Sequence, residues 1–169
     1  MPTATASGYV TNTGNTPTTY RARIVVQRYT PDMMNYLEIL KPQFARVRIE
    51  MPEWEPTNDD SDPGHINPNG FIDDRHNRAT FNLMKILGDQ GIELTASIWQ
   101  APDWLVENPG DESPRTIARS MYPEAIESIA AWLLHAKQQY GVEVDYVSFN
   151  EADIGITVLL TPADYVEMI

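Results

Sequence analysis

The sequence predicts an α/β fold built on parallel strands. Short runs rich in β-branched and aromatic residues alternate along the chain with longer segments that have helical periodicity. Glycine or proline closes the helical segments shortly before the next strand. The chain has 169 residues, 42% of them hydrophobic, which is enough to bury a core. Regular alternation of strand and helix is the pattern that forms a parallel sheet.

The chain opens with a polar arm, residues 1–21, which has neither the basic start nor the apolar stretch of a signal peptide. Residues 22–28 then predict the first strand. Thr30 as N-cap and Pro31 at the first helical position predict a helix, which Pro42 stops. Its predicted apolar face consists of Met33, Tyr36, Leu37 and Leu40.

The second strand, predicted over residues 44–51, alternates strictly between apolar and charged side chains. Val47 and Ile49 are expected to face the helices. The charged residues then fall on the opposite face: Arg46, Arg48 and Glu50. Charge on an inner face is costly unless it is paired or solvated.

A long polar loop over residues 52–78 leads to a helix with Thr80 as its N-cap and Gly91 as its end. Residues 92–99 predict the third strand, and a second polar loop covers residues 100–121. The apolar face of the helix that follows Thr80 is predicted from Phe81, Met84 and either Leu87 or Gly88.

Pro123 opens the clearest helix, which Gly141 ends before a fourth strand over residues 142–149. Its predicted buried stripe consists of Ile126, Ile129, Ala130 and Leu133. Thr161 and Pro162 start another helix that has room for only about two turns.

These elements predict a partial (β/α)8 barrel of about four βα units. Residues 22–169 would form the N-terminal half of the domain, cut within the helix after the fourth strand. Active sites of such folds gather at the C-terminal ends of the strands. The predicted strand ends carry Arg48, Glu50, Ser97, Trp99, Asn150 and Glu151, and the loops add Trp54, His65 and Trp104.

Tryptophan faces stack on sugar rings, and carboxylates and amides bind sugar hydroxyls, so these residues favour a carbohydrate site over a phosphate site. The formal net charge of -12 disfavours nucleic acid and anionic membranes as partners. The sequence contains neither a phosphate-binding GxxxxGK[ST] nor a GxGxxG motif, and no cofactor is expected. No run approaches the ~20 apolar residues of a membrane span.

Three segments carry a family resemblance: ARVRIE, SIWQAPDWL and VSFNEADIG. They resemble the corresponding strands of clan A glycoside hydrolases, which are retaining (β/α)8 enzymes. SIWQAPDWL is similar to the Ser-x-Trp-x-x-Pro-x-Trp segment of family 30 members. The resemblance covers residues 23–169 and rests on the order and spacing of the segments.

The resemblance implies a role for each matching residue. Glu151 would be the general acid/base, and Asn150 would bind the sugar 2-hydroxyl. Arg48 would orient the nucleophilic carboxylate, and Trp99 and Trp104 would line the subsites. Ser97, Trp54 and Glu50 complete the predicted substrate-binding set. The family's nucleophile is a Glu at the end of the seventh strand, so the chain alone is expected to be inactive on its β-linked polysaccharide or oligosaccharide substrate.

Other interpretations of these residues stay open. Glu50, Glu53 and Glu55 are less favoured candidates for the second carboxylate, and the three tryptophans could be packing residues. Arg48 could simply neutralise Glu50. Glu151 could be a surface acid that caps the next helix.

Other functions also stay open. A half-barrel could bind carbohydrate without catalysis, or complete its barrel by pairing through the open edges of its first and fourth strands. A barrel enzyme of unrelated chemistry, such as an aldolase, is disfavoured because no strand ends in lysine. The substrate class leads us to expect a secreted protein.

No metal site is predicted. Residues 58–70 offer many oxygen ligands but lack the spacing of a calcium loop, so we expect a solvated loop. The histidines, His65, His76 and His135, form no HExxH motif, and His135 is expected to be half-buried packing. The absence of cysteine excludes disulfides and thiolate ligands.

Overall fold

The structure is a computed structural model that describes residues 31–40, 42–110, 115–149 and 161–168. The predicted arm and first strand lie outside these residues, as do Asn150 and Glu151. The described part is a mixed α/β structure whose three strands form one parallel sheet in the order β1-β2-β3. The elements are α1 (Pro31–Leu40), β1 (Phe44–Glu50), α2 (Met51–Trp54), α3 (Arg75–Asp89), β2 (Glu93–Gln100), α4 (Tyr122–Tyr140), β3 (Tyr146–Ser148) and α5 (Pro162–Met168).

The parallel pairing confirms the prediction for the second, third and fourth strands. Arg48 of β1 lies opposite Ser97 of β2, which in turn lies opposite Ser148 of β3. The alternation in β1 is also confirmed, because Val47 and Ile49 are buried. The fourth strand is much shorter than predicted, at three residues, since residues 142–145 form a connection in which Asp145 bonds the backbone of Leu94.

Most helix signals are confirmed, but the start of α3 was predicted too late. The side chain of Asp74 accepts a hydrogen bond from the backbone N–H of His76, so the helix begins five residues before Thr80. α1 and α5 begin at their predicted prolines, and α4 ends at Gly141 with a φ of 68°. None of the described helices is long and apolar enough to cross a membrane.

The core lies between the sheet and α3 and α4. Phe81 and Met84 of α3 and Trp132 of α4 are fully buried against Ile49 and Ile98 of the strands. The buried face observed on α4 is rotated around the helix axis from the predicted buried face. Only Ile129 of the four predicted residues is buried, and the fully buried residues of the helix instead are Ala125, Trp132 and Ala136.

α1 differs most from its predicted packing. Tyr36 and Leu40, expected on a buried face, are 63% and 74% exposed, while Leu37 is half-buried against the core. His135 packs as predicted, since its ring lies 5.3 Å from Trp54 and 5.1 Å from Phe81, measured between ring centroids.

Candidate functional site

The C-terminal half of the sheet presents a polar face on the side away from the helices. Residues opposite each other in parallel strands share a face, so the register places Arg48 beside Ser97. Glu50 and Trp99 continue the same face toward the strand ends. We call Arg48, Glu50, Ser97 and Trp99 the strand-end face.

An ion pair and a cation–π contact join three residues of this face. Nη2 of Arg48 pairs with Oε1 of Glu50. The Arg48 guanidinium also lies over the Trp99 ring, 4.4 Å from its centroid, and Arg46 approaches the same ring at 5.5 Å. The pairing supports the interpretation that Arg48 neutralises Glu50.

A cleft of about 780 Å³ adjoins the strand-end face. Its polar lining includes two carboxylates and an imidazole, with Nδ1 of His76 lying 3.6 Å from Oε2 of Glu53. A volume of this size can hold a small ligand. The cleft is lined by Arg46, Val47, Arg48, Glu50, Glu53, His76, Thr80, Leu83, Trp99 and Gln100.

The prediction that Trp54 contacts substrate is wrong for this structure. The short helix α2 turns Trp54 into the core, where it is 1% exposed. Its Nε1 donates a hydrogen bond to the Ser128 backbone carbonyl at 3.2 Å, and its ring stacks on Phe71 at a centroid distance of 5.1 Å. Trp54 is therefore a packing aromatic, as the alternative interpretation proposed.

Two other predicted substrate residues are less accessible than expected. Ser97 is fully buried within the sheet. Trp104 is half-buried, and its Nε1 donates a hydrogen bond of 3.0 Å to the Glu55 carbonyl. No ring contact joins Trp99 to Trp104 in the described part of the chain. The structure thus brings together Arg48, Glu50 and Trp99, while the predicted acid/base pair Asn150 and Glu151 lies outside the described residues.

A second group of acids joins the loop after α2 to α4. Sequence reasoning considered Glu55 and the segment that contains Asp59, but it missed the two acids of α4 and the grouping. We call Glu55, Asp59, Glu124 and Glu127 the acidic cluster. Glu55 is fully buried, and Glu124 and Glu127 are 7% and 4% exposed. One carboxylate oxygen from each of Asp59, Glu124 and Glu127 lies within 4.8 Å of the others.

Burial shifts the acidity of the cluster. It raises the pKa of Glu55 to about 7, with the charges of Asp59 and Glu124 acting in the same direction. It also raises the pKa of Glu127 to about 7, assisted by Asp59 and Glu55. The pKa of Glu124 is raised, again chiefly by burial. These residues have the donor chemistry of a site for a hard cation.

Comparison with known proteins shows the fold alone. No protein-family model and no curated protein matches the chain. A similar solved structure is the crystal structure of SrfJ from Salmonella typhimurium, with a TM-score of 0.58 and 16% sequence identity. The match covers 80% of this chain and 34% of the SrfJ chain. The chain therefore spans about a third of the length of the structure it matches.

Proposed function

We propose that this chain is the N-terminal part of a (β/α)8 retaining glycoside hydrolase that acts on a β-linked polysaccharide or oligosaccharide. The strand-end face is the observation that carries this proposal. Parallel β/α enzymes assemble their active sites from the C-terminal ends of strands, and Arg48, Glu50 and Trp99 meet there. A sugar ring could stack on the half-buried Trp99 ring in place of a guanidinium, since Arg48 and Arg46 lie over that ring in this structure.

Within this proposal, the two catalytic carboxylates come from different parts of a longer protein. Glu151, three residues after the end of β3 in the sequence, would protonate the glycosidic oxygen. The nucleophile would come from a later strand, about 5 Å from Glu151 across the scissile bond. Arg48 would keep that carboxylate ionised, which requires it to exchange its pairing with Glu50 for one with the nucleophile.

The test begins with the source gene read past the codon for Ile169. If the frame continues through further βα units, we expect the longer protein to cleave an aryl β-glycoside and Glu151→Gln to lower kcat by about 10²- to 10⁴-fold. A substrate with a good leaving group should be affected less, because its departure needs no acid.

Glu143→Gln is the matched control, since Glu143 is an exposed acid paired with Lys137. Equal loss in both variants, or a stop codon directly after Ile169, would contradict single-chain catalysis by Glu151.

A non-catalytic carbohydrate-binding role is the second candidate. The ion pair between Arg48 and Glu50 favours it, because the guanidinium is already engaged by a carboxylate of its own chain. This role predicts sugar affinity without turnover, measured by calorimetry on the chain alone. Sedimentation of the same sample tests whether the chain pairs with a second copy to complete a barrel.

A further inference from the structure

The acidic cluster joins two segments that are far apart in sequence. Glu55 and Asp59 belong to the loop that follows α2, and Glu124 and Glu127 project from the first turns of α4. The three-residue spacing of the two α4 acids puts them on the same face of the helix. The carboxylates thus converge between a loop and a helix end, and none of them lines the cleft at the strand-end face.

Among the residues that the structure describes, no positive side chain pairs with this charge. None of the ion pairs within the described ranges reaches the four acids. Asp60, the next residue in the loop, adds a further carboxylate and pairs with His65 instead. Burying carboxylates without a counter-charge is strongly unfavourable.

Several oxygens of the cluster are also buried without a hydrogen-bond partner. They are both carboxylate oxygens of Glu127, one oxygen each of Glu55 and Glu124, and the amide Oδ1 of the neighbouring Asn58. The Ser128 side chain lies within hydrogen-bonding reach of Glu55, and the Asn58 side chain within reach of Glu124, and each contact lowers the pKa of its acid. Glu127 is the acid with neither oxygen paired. Buried polar atoms are rarely left unpaired in native proteins, so each of these atoms requires an explanation. All five are acceptors, and a bound cation satisfies several acceptors together.

The remaining acid is held in place by the loop. Oδ1 of Asp59 accepts the backbone N–H of Asp60 at 2.8 Å, and Oδ2 accepts that of Asn67 at 2.7 Å. Each oxygen keeps a lone pair for a further ligand. Gly70 packs directly against Asp59, and a Cβ at position 70 would lie 2.1 Å from the Asp59 Cβ. The position of this carboxylate is therefore fixed by backbone contacts.

We propose that Asp59, Glu124 and Glu127 form a binding site for Ca²⁺, with the buried Glu55 carboxylate beside them. The donor atoms are all oxygens, and this disfavours zinc and copper, which prefer nitrogen and sulfur ligands. The separation of up to 4.8 Å matches two oxygens on opposite sides of Ca²⁺, at about 2.4 Å each. Mg²⁺ needs shorter, near-octahedral contacts and retains several waters, which a buried cluster of carboxylates does not favour.

The cation would fasten the loop after α2 to the N-terminal turns of α4. Two tryptophans already bond to the same region, because Trp54 donates to the Ser128 carbonyl and Trp104 to the Glu55 carbonyl. Ca²⁺ would therefore also hold the backbone that positions Trp104. The site is separate from the strand-end face, so the inference does not depend on the proposed sugar chemistry.

Calorimetry and thermal unfolding on the whole 169-residue chain test the proposal after chelator treatment. We expect one Ca²⁺ per chain with a dissociation constant between about 10⁻⁶ and 10⁻³ M. Millimolar Ca²⁺ should raise the melting temperature by several degrees, and Mg²⁺ by much less. The proposal would be overturned if calorimetry detected no heat of Ca²⁺ binding, and the melting temperature did not change, up to about 10 mM Ca²⁺.

Glu127→Gln removes one donor charge at nearly constant volume. We expect it to weaken Ca²⁺ binding at least tenfold, while Glu143→Gln binds like the unmodified chain. If Glu127→Gln does not fold, as judged by circular dichroism, Asp59→Asn serves the same purpose. Unchanged Ca²⁺ affinity in the folded variant would contradict the assignment. A melting temperature raised by Glu127→Gln, without any response to Ca²⁺ in either protein, would show that the carboxyls are instead kept neutral by protons.

Discussion

The strand-end face holds one carboxylate beside a positive charge, whereas the acidic cluster gathers four carboxylates without one in the described part of the chain. Glu50 pairs with Arg48, which in turn lies over Trp99, whereas the acids of the cluster pair with no cation in the described part of the chain. Arg48, Glu50 and Trp99 of the strand-end face are partly exposed, whereas three of the four acids of the cluster are buried. The comparison teaches that acids in the two regions have opposite requirements: the single carboxylate of the strand-end face is balanced within the chain, and the four of the acidic cluster need protons or an external cation.

Trp54 and Trp99 give the largest expected difference between the two regions. Trp54 lies in the core beside the cluster, so Trp54→Ala should lower the free energy of unfolding by about 3–5 kcal/mol. Trp99 is half-buried on the strand-end face, and Trp99→Ala should cost about 1–2 kcal/mol. Urea unfolding measures both. A larger loss for Trp99 than for Trp54 would contradict the assignment of Trp54 to the core.

The pH dependence of stability should come from the cluster rather than from the strand-end face. The pKa values of Glu55 and Glu127 are raised from 4.5 to about 7 on folding, so the folded state binds more protons between these values. The protonated carboxyls therefore add to the free energy of unfolding at low pH, and this contribution is lost as the pH rises from about 4.5 to about 7. The slope is at most about 1.4 kcal/mol per pH unit for each carboxyl.

Urea unfolding in chelator from pH 4 to pH 8 measures this slope. The groups facing the two carboxyls are themselves acids, Asp59, Asp60 and Glu124, so no neighbouring base offsets the effect. Ca²⁺ should flatten the slope, because it binds the deprotonated carboxylates. Stability that rises with pH across this window in chelator would show that the cluster does not bind protons on folding.

The strand-end face was predictable from sequence, and the cluster was not, for a physical reason. Strict alternation in β1 assigns Arg48 and Glu50 to one face, and strand ends are known to meet at one edge. Glu124 and Glu127 were passed over because the apolar stripe of α4 was placed around Ile126 and Leu133, which are half-buried. The three-residue spacing of Glu124 and Glu127 indicated that the two acids share a helix face. Only the folded structure shows that this face meets Asp59.

The start of α3 illustrates the same limit within the fold. Residues 52–78 are crowded with turn-forming types, and Thr80 was the last capping residue before the apolar face. Asp74 is an equally good N-cap, and the Asn77 side chain bonds the Ile72 and Glu53 carbonyls, which fixes the first turn earlier. Local propensity could not choose between two caps, because tertiary contacts decide the choice.

Gly70→Ala probes how firmly the loop holds the cluster. The added Cβ would meet the Cβ of Asp59 at 2.1 Å and its Cα at 2.9 Å, so the loop must move. We expect a loss of about 1–3 kcal/mol in the free energy of unfolding, together with weaker Ca²⁺ binding. Gly64→Ala is the matched control in the same loop, since its Cβ would meet only the Asp62 carboxylate at 3.3 Å. Equal effects of the two changes on Ca²⁺ binding would show that the position of Asp59 does not matter.

The smallest expected effect is the coupling between Arg48 and Glu50. Their side chains are 31% and 21% exposed, so solvent screens the pair, and a double-mutant cycle with Arg48→Met and Glu50→Gln should give about 0.5–1 kcal/mol of attraction. Added salt should reduce this coupling. The same cycle with Glu124→Gln and Glu127→Gln in chelator at pH 8 should give the opposite sign, since each change relieves repulsion on the other acid. Attraction between Glu124 and Glu127 under these conditions would erase the contrast between the regions, because the cluster would then contain a compensating partner of its own.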